Sequence, residues 1–367
     1  MKIVKFIRKN TVFCIAALAA TITCFFTPPD KAYSDYFDWK TLTCLFLTLA
    51  VVCALRNIKF FTIVARKLVN TTGNLRSLFI LLVTITFIGS MIIANDMALI
   101  TFLPLGYYAL SVTKQEKYMA YLFVLQNISA NLGGMLTPFG NPQNLYLYSF
   151  FNIPTGEFCK IMLPSFLLAI TLLMIACIPV KAIKFTLDED YGEKLNIKRT
   201  VLYIALFVIS ILIVFRIIPF IVGLIIIPIV LLFIDRDALL MVDYALLGTF
   251  FFFFIFAGNL ARIDAVNNLF SALLEKDTLL VSLLSCQFIS NVPSAVLLSR
   301  FTNDYTSLLL GVNIGGTGTL IASLASLITF NEFRLLHPEQ TKKYLFIFTT
   351  VNLGFLIIMT LAVKFFI

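Results

Sequence analysis

Two stretches of this sequence place amides and hydroxyls beside paired glycines inside otherwise apolar runs: NLGGMLTPFGNPQN (131–144) and NIGGTGT (313–319), the latter followed by Ser323 and Ser326. Two more apolar runs are each interrupted by one polar tip, Asn95-Asp96 and Ser290-Asn291. No His/Glu/Asp cluster or metal-ligand spacing accompanies them, so the chemistry on offer is reversible binding rather than bond making. Backbone broken inside a bilayer leaves N–H and C=O groups unpaired, which survives only where it lines a cavity or is covered by protein. Gly133-Gly134 and Gly315-Gly316 can stop a helix in φ>0 conformations. Thr137-Pro138 can start the next helix, with Thr as N-cap and Pro at the first position, and Ser290-Asn291 before Pro293 reads likewise. Four half-helix N-termini would then converge on one point at mid-membrane depth, which suits an anion. The opposed C-termini and freed carbonyls suit Na⁺ or H⁺-bearing groups.

The candidate site residues are therefore Asn131, Gly133, Gly134, Thr137, Asn141 and Asn144 in the first stretch. Asn313, Gly315, Gly316, Thr317, Thr319 and Ser323 belong to the second, and Asn95, Asp96, Ser290 and Asn291 to the tips. Gln126, Asn127, Ser129, Gln143 and Gln287 carry a weaker signal for lining a path. Gly, Ser and Thr in membrane helices often serve only close packing. Packing does not require the same order of breaks to be repeated, and here it is repeated.

Asp96 is the one acid inside an apolar run. An intramembrane carboxylate is costly and usually functional. It reads either as a cation ligand or proton carrier, or as a structural cap for the helix that follows. The corresponding residue at the second tip is Val292, so the two sites should be chemically unequal.

The elements that carry these residues recur. Each copy has a span, an amphipathic surface helix, an apolar hairpin with a polar tip, a Gly-broken span and a closing span. The first copy covers 38–181, with its hairpin at 75–111 and broken helix at 116–149. The second covers 242–367, with its hairpin at 278–300 and broken helix at 304–330. Asn131, Thr137, Asn141 and Asn144 match Asn313, Thr319, Ser323 and Ser326 at one constant offset. The tips are spaced differently from the breaks, 36 residues against 22, so the copies have diverged. Residues 1–37 form a first span and outer loop, 182–199 a polar linker, and 200–241 two connecting spans. The 35-residue run 200–234 would reach about 52 Å as one helix, against a hydrocarbon core of about 30 Å. It is read as two spans turning at Arg216.

Composition fixes the solvent. Of 367 residues, 60% are hydrophobic and 13% charged, with mean hydropathy +0.97. That excludes a water-soluble domain, at about 25% charged, and a disordered chain. The expected fold is an all-α polytopic membrane protein with inverted repeats, about nine full spans (two of them broken) and two re-entrant hairpins. The net charge of +9 is scattered through short loops, which argues against nucleic acid. With re-entrant tips, 20 of the 28 Lys and Arg fall on segments 1–10, 56–76, 112–117, 181–199, 235–238 and 331–343. Those segments are read as cytoplasmic, with the C-terminus outside, and the two repeats enter from opposite faces. The basic-then-apolar N-terminus looks like a signal peptide but lacks a good cleavage site, so it is read as an uncleaved span. The seven cysteines and one histidine form no readable metal or disulfide framework. Paired, Gly/Pro-interrupted segments in two halves point to a transporter binding site.

NDMALITFLP, GGMLTPFGNPQN, SNVP and GGTGT together resemble the ion transporter superfamily. That group includes citrate and dicarboxylate permeases, arsenite efflux permeases and one type of Na⁺/H⁺ antiporter. The resemblance covers nearly the whole chain. It implies an elevator-type carrier of the cell membrane, often a homodimer, without a cofactor and with Na⁺ or H⁺ as coupling ion. In the dicarboxylate branch Ser-Asn-Thr tips bind Na⁺ and substrate carboxylate. The match gives that role to Asn95 and to Ser290-Asn291, with Na⁺ expected near Asn95, Asp96 and Gly134 and near Asn291 and Gly316. This chain departs from the pattern, reading Ala94-Asn95-Asp96 and Ser290-Asn291-Val292. The Asn-Asp tip is closer to the arsenite and antiporter branches, and GNPQN to citrate-permease-type members.

The favoured reading is a secondary transporter for a small anion such as citrate or a dicarboxylate, or for an oxyacid such as arsenite. The alternative within the same fold is an Na⁺/H⁺ antiporter using Asp96. A membrane-embedded lipid-modifying enzyme lacks its acid–base or metal cluster, and no P-loop offers ATP as the direct energy source.

Overall fold

The structure is a computed structural model that describes residues 10–185 and 194–366. The basic segment 1–9 and the middle of the polar linker, 186–193, lie outside the described residues, as do the charge assignments made on them. Among the described residues the regular structure is helical. With apolar neighbours on every side, a backbone can satisfy its polar groups only within its own helix.

Helix α1 is Thr11–Phe26, α2 Trp39–Asn57, α3 Phe60–Val69, α4 Leu75–Ile93 and α5 Asn95–Val112. They are followed by α6 Met119–Gly133, α7 Pro142–Phe150, α8 Thr155–Cys177, α9 Ile197–Val214, α10 Phe220–Ile234 and α11 Arg236–Leu240. The last part holds α12 Tyr244–Ala261, α13 Asp264–Ile289, α14 Asn291–Leu298, α15 Tyr305–Ile314, α16 Leu324–Leu336 and α17 Thr341–Phe366. Six helical stretches are long and apolar enough to cross a membrane: α2, α4, α8, α9, α12 and Pro338–Phe365. Helices α1, α10 and α15 are shorter but apolar. The chain is an all-α polytopic membrane protein.

Local chemistry sets the boundaries. Asp38 and Asp243 cap α2 and α12 in the same way, each accepting from the amide three residues on, at 2.9 Å. The run 200–234 breaks at Arg216, whose φ is 64°, and Pro219 precedes α10. Helix α13 kinks at Asp277 (φ −165°, ψ 88°), separating a polar first part from the apolar limb that leads to Ser290. Asp277 caps that limb by accepting from Leu280 N at 2.9 Å.

Packing in the site-bearing part is reciprocal. Helices α4, α5 and α6 pack on one another, as do α13, α14 and α15. Across the halves α5 packs on α16 and α14 on α7, while α17 packs on α6 and α8 on α15. Away from the helix breaks, a set of long-range polar contacts lies at each of two ends. At one, Asp235 accepts from Asn57 (2.8 Å) and Tyr203 (3.0 Å), and Arg76 donates to Val180 O (2.8 Å). At the other, Arg262 pairs with Asp30 (2.7 Å), Arg300 donates to Tyr36 O (2.7 Å), and Lys364 pairs with Asp277 (2.8 Å).

The breaks are off-centre along their helices. α6 has 15 residues and α7 nine, while α15 has 10 and α16 has 13. At about 1.5 Å per residue, both breaks lie nearer the Arg262–Asp30 end of the bundle.

Candidate functional site

Each tip is a single residue between two helices, and the two tips share one unusual backbone shape. Ala94 has φ 67°, ψ 155° and Ser290 has φ 75°, ψ 159°. That region is otherwise almost confined to glycine, and residues held there cluster at functional sites. The following asparagine offsets part of the cost. Asn95 Oδ1 accepts from Asp96 N and Asn291 Oδ1 from Val292 N, both at 2.9 Å.

Both tips are buried against the breaks. Asn95 donates from Nδ2 to Asn131 Oδ1 at 3.3 Å. Asn291 N donates to Ala322 O at 2.9 Å, and Ser290 Oγ to the same oxygen at 3.4 Å. Thr137 Oγ1 donates to Met91 O (2.8 Å) and Thr319 Oγ1 to Gln287 O (3.1 Å). Met91 and Gln287 each stand four residues before their tip asparagine.

The breaks interlock through amides. Asn141 donates to Asn131 O and to Asn313 Oδ1, both at 3.3 Å. Asn313 donates to Asn144 Oδ1 at 2.6 Å, and Asn144 reaches Gly134 O at 3.1 Å and Met135 O at 3.2 Å. Ser323 caps α16 by accepting from Ser326 N at 3.1 Å, and Asn127 donates to Ser326 Oγ at 3.3 Å. The structure thus joins Asn95, Asn131, Gly134, Asn141, Asn144 and Asn313 in one bonded group, with Asn291 against Gly316.

Three expectations need correction. The helices do end at both glycine pairs, but among Gly133, Gly134, Gly315 and Gly316 none has positive φ; it is −66°, −64° and −62° for the first three. They also allow close approach: a Cβ on Gly133 would lie 2.2 Å from Phe87 O, and one on Gly315 would lie 2.6 Å from Gly311 O. Thr137-Pro138 does not start α7; that helix begins at Pro142 with Asn141 as N-cap, because the Thr137 hydroxyl is spent on Met91 O. Ser290 precedes α14 but makes no side-chain cap. Thr317, kept as a candidate, donates its hydroxyl to Ile314 O at 2.6 Å, at the end of its own helix.

The sequence signal under-weighted Gln287. Its Nε2 donates to Gly315 O (2.8 Å) and Thr317 O (3.1 Å), and its Oε1 accepts from Thr319 N (2.9 Å). Its spacing from the tip, equal to that of Met91, was the available clue.

Asp96 caps no helix. It is half-buried, and its Oδ1 is shut off from solvent without a hydrogen-bond partner. Asn131 Nδ2 and Asn141 Oδ1 are also buried and unpartnered. Leaving such atoms unmade costs about 1–3 kcal/mol each, so they are groups a ligand could satisfy. Among the described residues no cluster of three His, Cys, Asp or Glu could hold a metal ion. The site offers the Asn131 N–H, which suits an anion or polar solute, beside amide, carbonyl and single-carboxylate oxygens of the kind that ligate a hard cation.

Comparison with known proteins decides the family. The sequence profile of the citrate transporter family, CitMHS, matches residues 2–305. The chain belongs to the citrate transporter family. It is 37% identical over 305 residues to the "Uncharacterized transporter MJ0456" of Methanocaldococcus jannaschii, a match covering 80% of each chain. It is 28% identical to the inner membrane protein YbiR of Escherichia coli K12, over 83% of this chain and 82% of that one. A shorter match, 30% over 151 residues, is to the silicon efflux transporter LSI3 of Oryza sativa subsp. japonica; it covers 40% of this chain and 30% of that one. This family member is a multi-pass membrane transporter and not an enzyme.

Proposed function

We propose that the protein is a secondary active transporter that moves a small oxyacid or carboxylate anion across the cytoplasmic membrane, coupled to Na⁺ or H⁺. One observation carries this reading: two strained tips and two helix breaks meet in a buried amide cluster with Asn131 Nδ2 and Asn141 Oδ1 unpartnered, and the Oδ1 of Asp96, the residue after Asn95, is unpartnered as well. A multiply charged anion would enter with cations that offset the unpartnered Asp96 carboxylate, whereas a weak oxyacid such as arsenite enters in neutral form. The family profile is named for citrate and one relative for silicon efflux, and both fit this range.

The elevator-type reading is supported by a broken symmetry. Helices α2 and α12 pack on α7 and α14 of the site-bearing part. Swapping the two copies gives a second arrangement, with α2 on α5 and α12 on α16, and access from the opposite side. The basic end of the bundle is the cytoplasmic one in this scheme. Na⁺/H⁺ antiport is the second reading, and the free carboxylate of Asp96 is what favours it.

Transport into proteoliposomes tests both. Citrate, a dicarboxylate, arsenite and silicic acid are offered under imposed Na⁺ or pH gradients. Gradient-driven solute uptake supports the first reading. Cation-dependent proton movement with no added solute supports the second, and neither activity would refute both.

A further inference from the structure

Break 2 is built around one side chain from the neighbouring hairpin. The amide of Gln287 donates to Gly315 O and Thr317 O and accepts from Thr319 N, and its backbone carbonyl accepts from Thr319 Oγ1. Gly318 sits at φ +110°, and a Cβ there would lie 2.3 Å from Gln287 Oε1. The loop therefore wraps the amide so closely that only glycine fits. The matching position in the first half is Met91, whose thioether cannot donate. There the carbonyls of Gly134 and Met135 are held by Asn144, which lies in the helix after the break. The first break is thus clamped from its own helix, and the second from α13, the limb that leads into Asn291.

The clamp has a consequence at the site. A Cβ on Gly316 would lie 3.0 Å from Asn291 Nδ2 and 3.8 Å from Asn131 Oδ1, so Gly316 is where the second tip approaches the first break. Both neighbours of Gly316 have their carbonyls taken by Gln287. We infer that Gln287 is a positioning residue for ligand binding: it joins the second tip and the second break into one rigid unit and fixes Gly316 and Asn291 relative to Asn131. The first tip, lacking such an amide, is held to its break by the Asn95–Asn131 and Thr137–Met91 bonds. This inference rests on the binding-site reading above.

The test uses the full-length protein with Gln287→Met, which keeps the volume and copies the first half, and Gln287→Glu, which keeps the shape but cannot donate when ionised. Hydrogen exchange is followed on peptides covering 314–322, and arsenite and citrate uptake is measured in proteoliposomes under Na⁺ and pH gradients. Losing bonds worth about 1.4 kcal/mol predicts exchange at 315–319 faster by about tenfold and a KM raised by about tenfold, with little change in maximal rate. Unchanged exchange in both variants overturns the inference, as does a fall in maximal rate at constant KM. If the wild type moves neither solute under any gradient, the transport reading fails, and the exchange measurement alone decides the role of Gln287.

Discussion

Asn141 and Asn313, 172 residues apart, share a hydrogen bond of 3.3 Å between the two halves of the chain. Asn313 continues the link to Asn144 at 2.6 Å. The two helix breaks are therefore one structure, and neither is complete without the other. This explains why amides stand where membrane helices ordinarily carry apolar residues: Asn141, Asn144 and Asn313 each donate to a backbone carbonyl, and their side chains also bond one another.

Asn313→Ala removes donors to Asn144 and Leu309 O and an acceptor for Asn141. Buried partners left unmade predict a loss of about 1–3 kcal/mol. Thermal unfolding in detergent checks this, and solute uptake should fall with it because both breaks loosen together.

Asp96→Asn keeps the shape of the tip and removes its charge. Asn95 already takes the adjoining amide, so the fold should hold. The expected outcome is a change of about tenfold or more in rate at a fixed ion gradient. Flux measured against Na⁺ and against pH should show which dependence disappears. An unchanged profile on both axes would remove Asp96 from coupling.

Gly133→Ala and Gly315→Ala should each destabilise the protein, because the new methyl meets backbone at 2.2 and 2.6 Å. Overpacking of this kind costs about 1–3 kcal/mol. Gly354→Ala, in α17 with nothing within 4 Å, should stabilise it by about 0.5–1 kcal/mol. Melting temperatures of the three variants should therefore split in opposite directions.

The Arg262 guanidinium beside Asp30 holds its carboxyl below the usual carboxylate range. A folded pKa below the unfolded one means that the pair stabilises at neutral pH and loses its contribution as pH falls through the folded value. Both side chains are exposed, so the effect is small. Between about pH 5 and about pH 3, the melting temperature of the wild type should fall slightly more than that of Asp30→Asn.

Much of this was legible in the residues. Uninterrupted apolar runs left the backbone no choice but helix, and Arg216 with Pro219 marked the turn in a run too long to cross once. The constant offset from Asn131 to Asn313 and from Thr137 to Thr319 picked out the site, because matched spacing survives where side chains have diverged. What stayed hidden depended on contacts between distant segments. Gln287 looks like one polar residue in an apolar limb until the loop at 315–319 folds over it. Gly133 does end α6, but the close approach that requires glycine there stays hidden until Phe87 O is seen against it. Thr137 has the chemistry of a cap but spends it on Met91, so the helix waits for Pro142.

The central claim is that both tips end inside the membrane against the two breaks. A density map of the protein in lipid nanodiscs, resolved well enough to place side chains, tests it directly. The account predicts Asn95 within hydrogen-bonding reach of Asn131, and Asn291 beside Gly316, both at hydrocarbon depth. Either asparagine at a water boundary, away from its break, would contradict it.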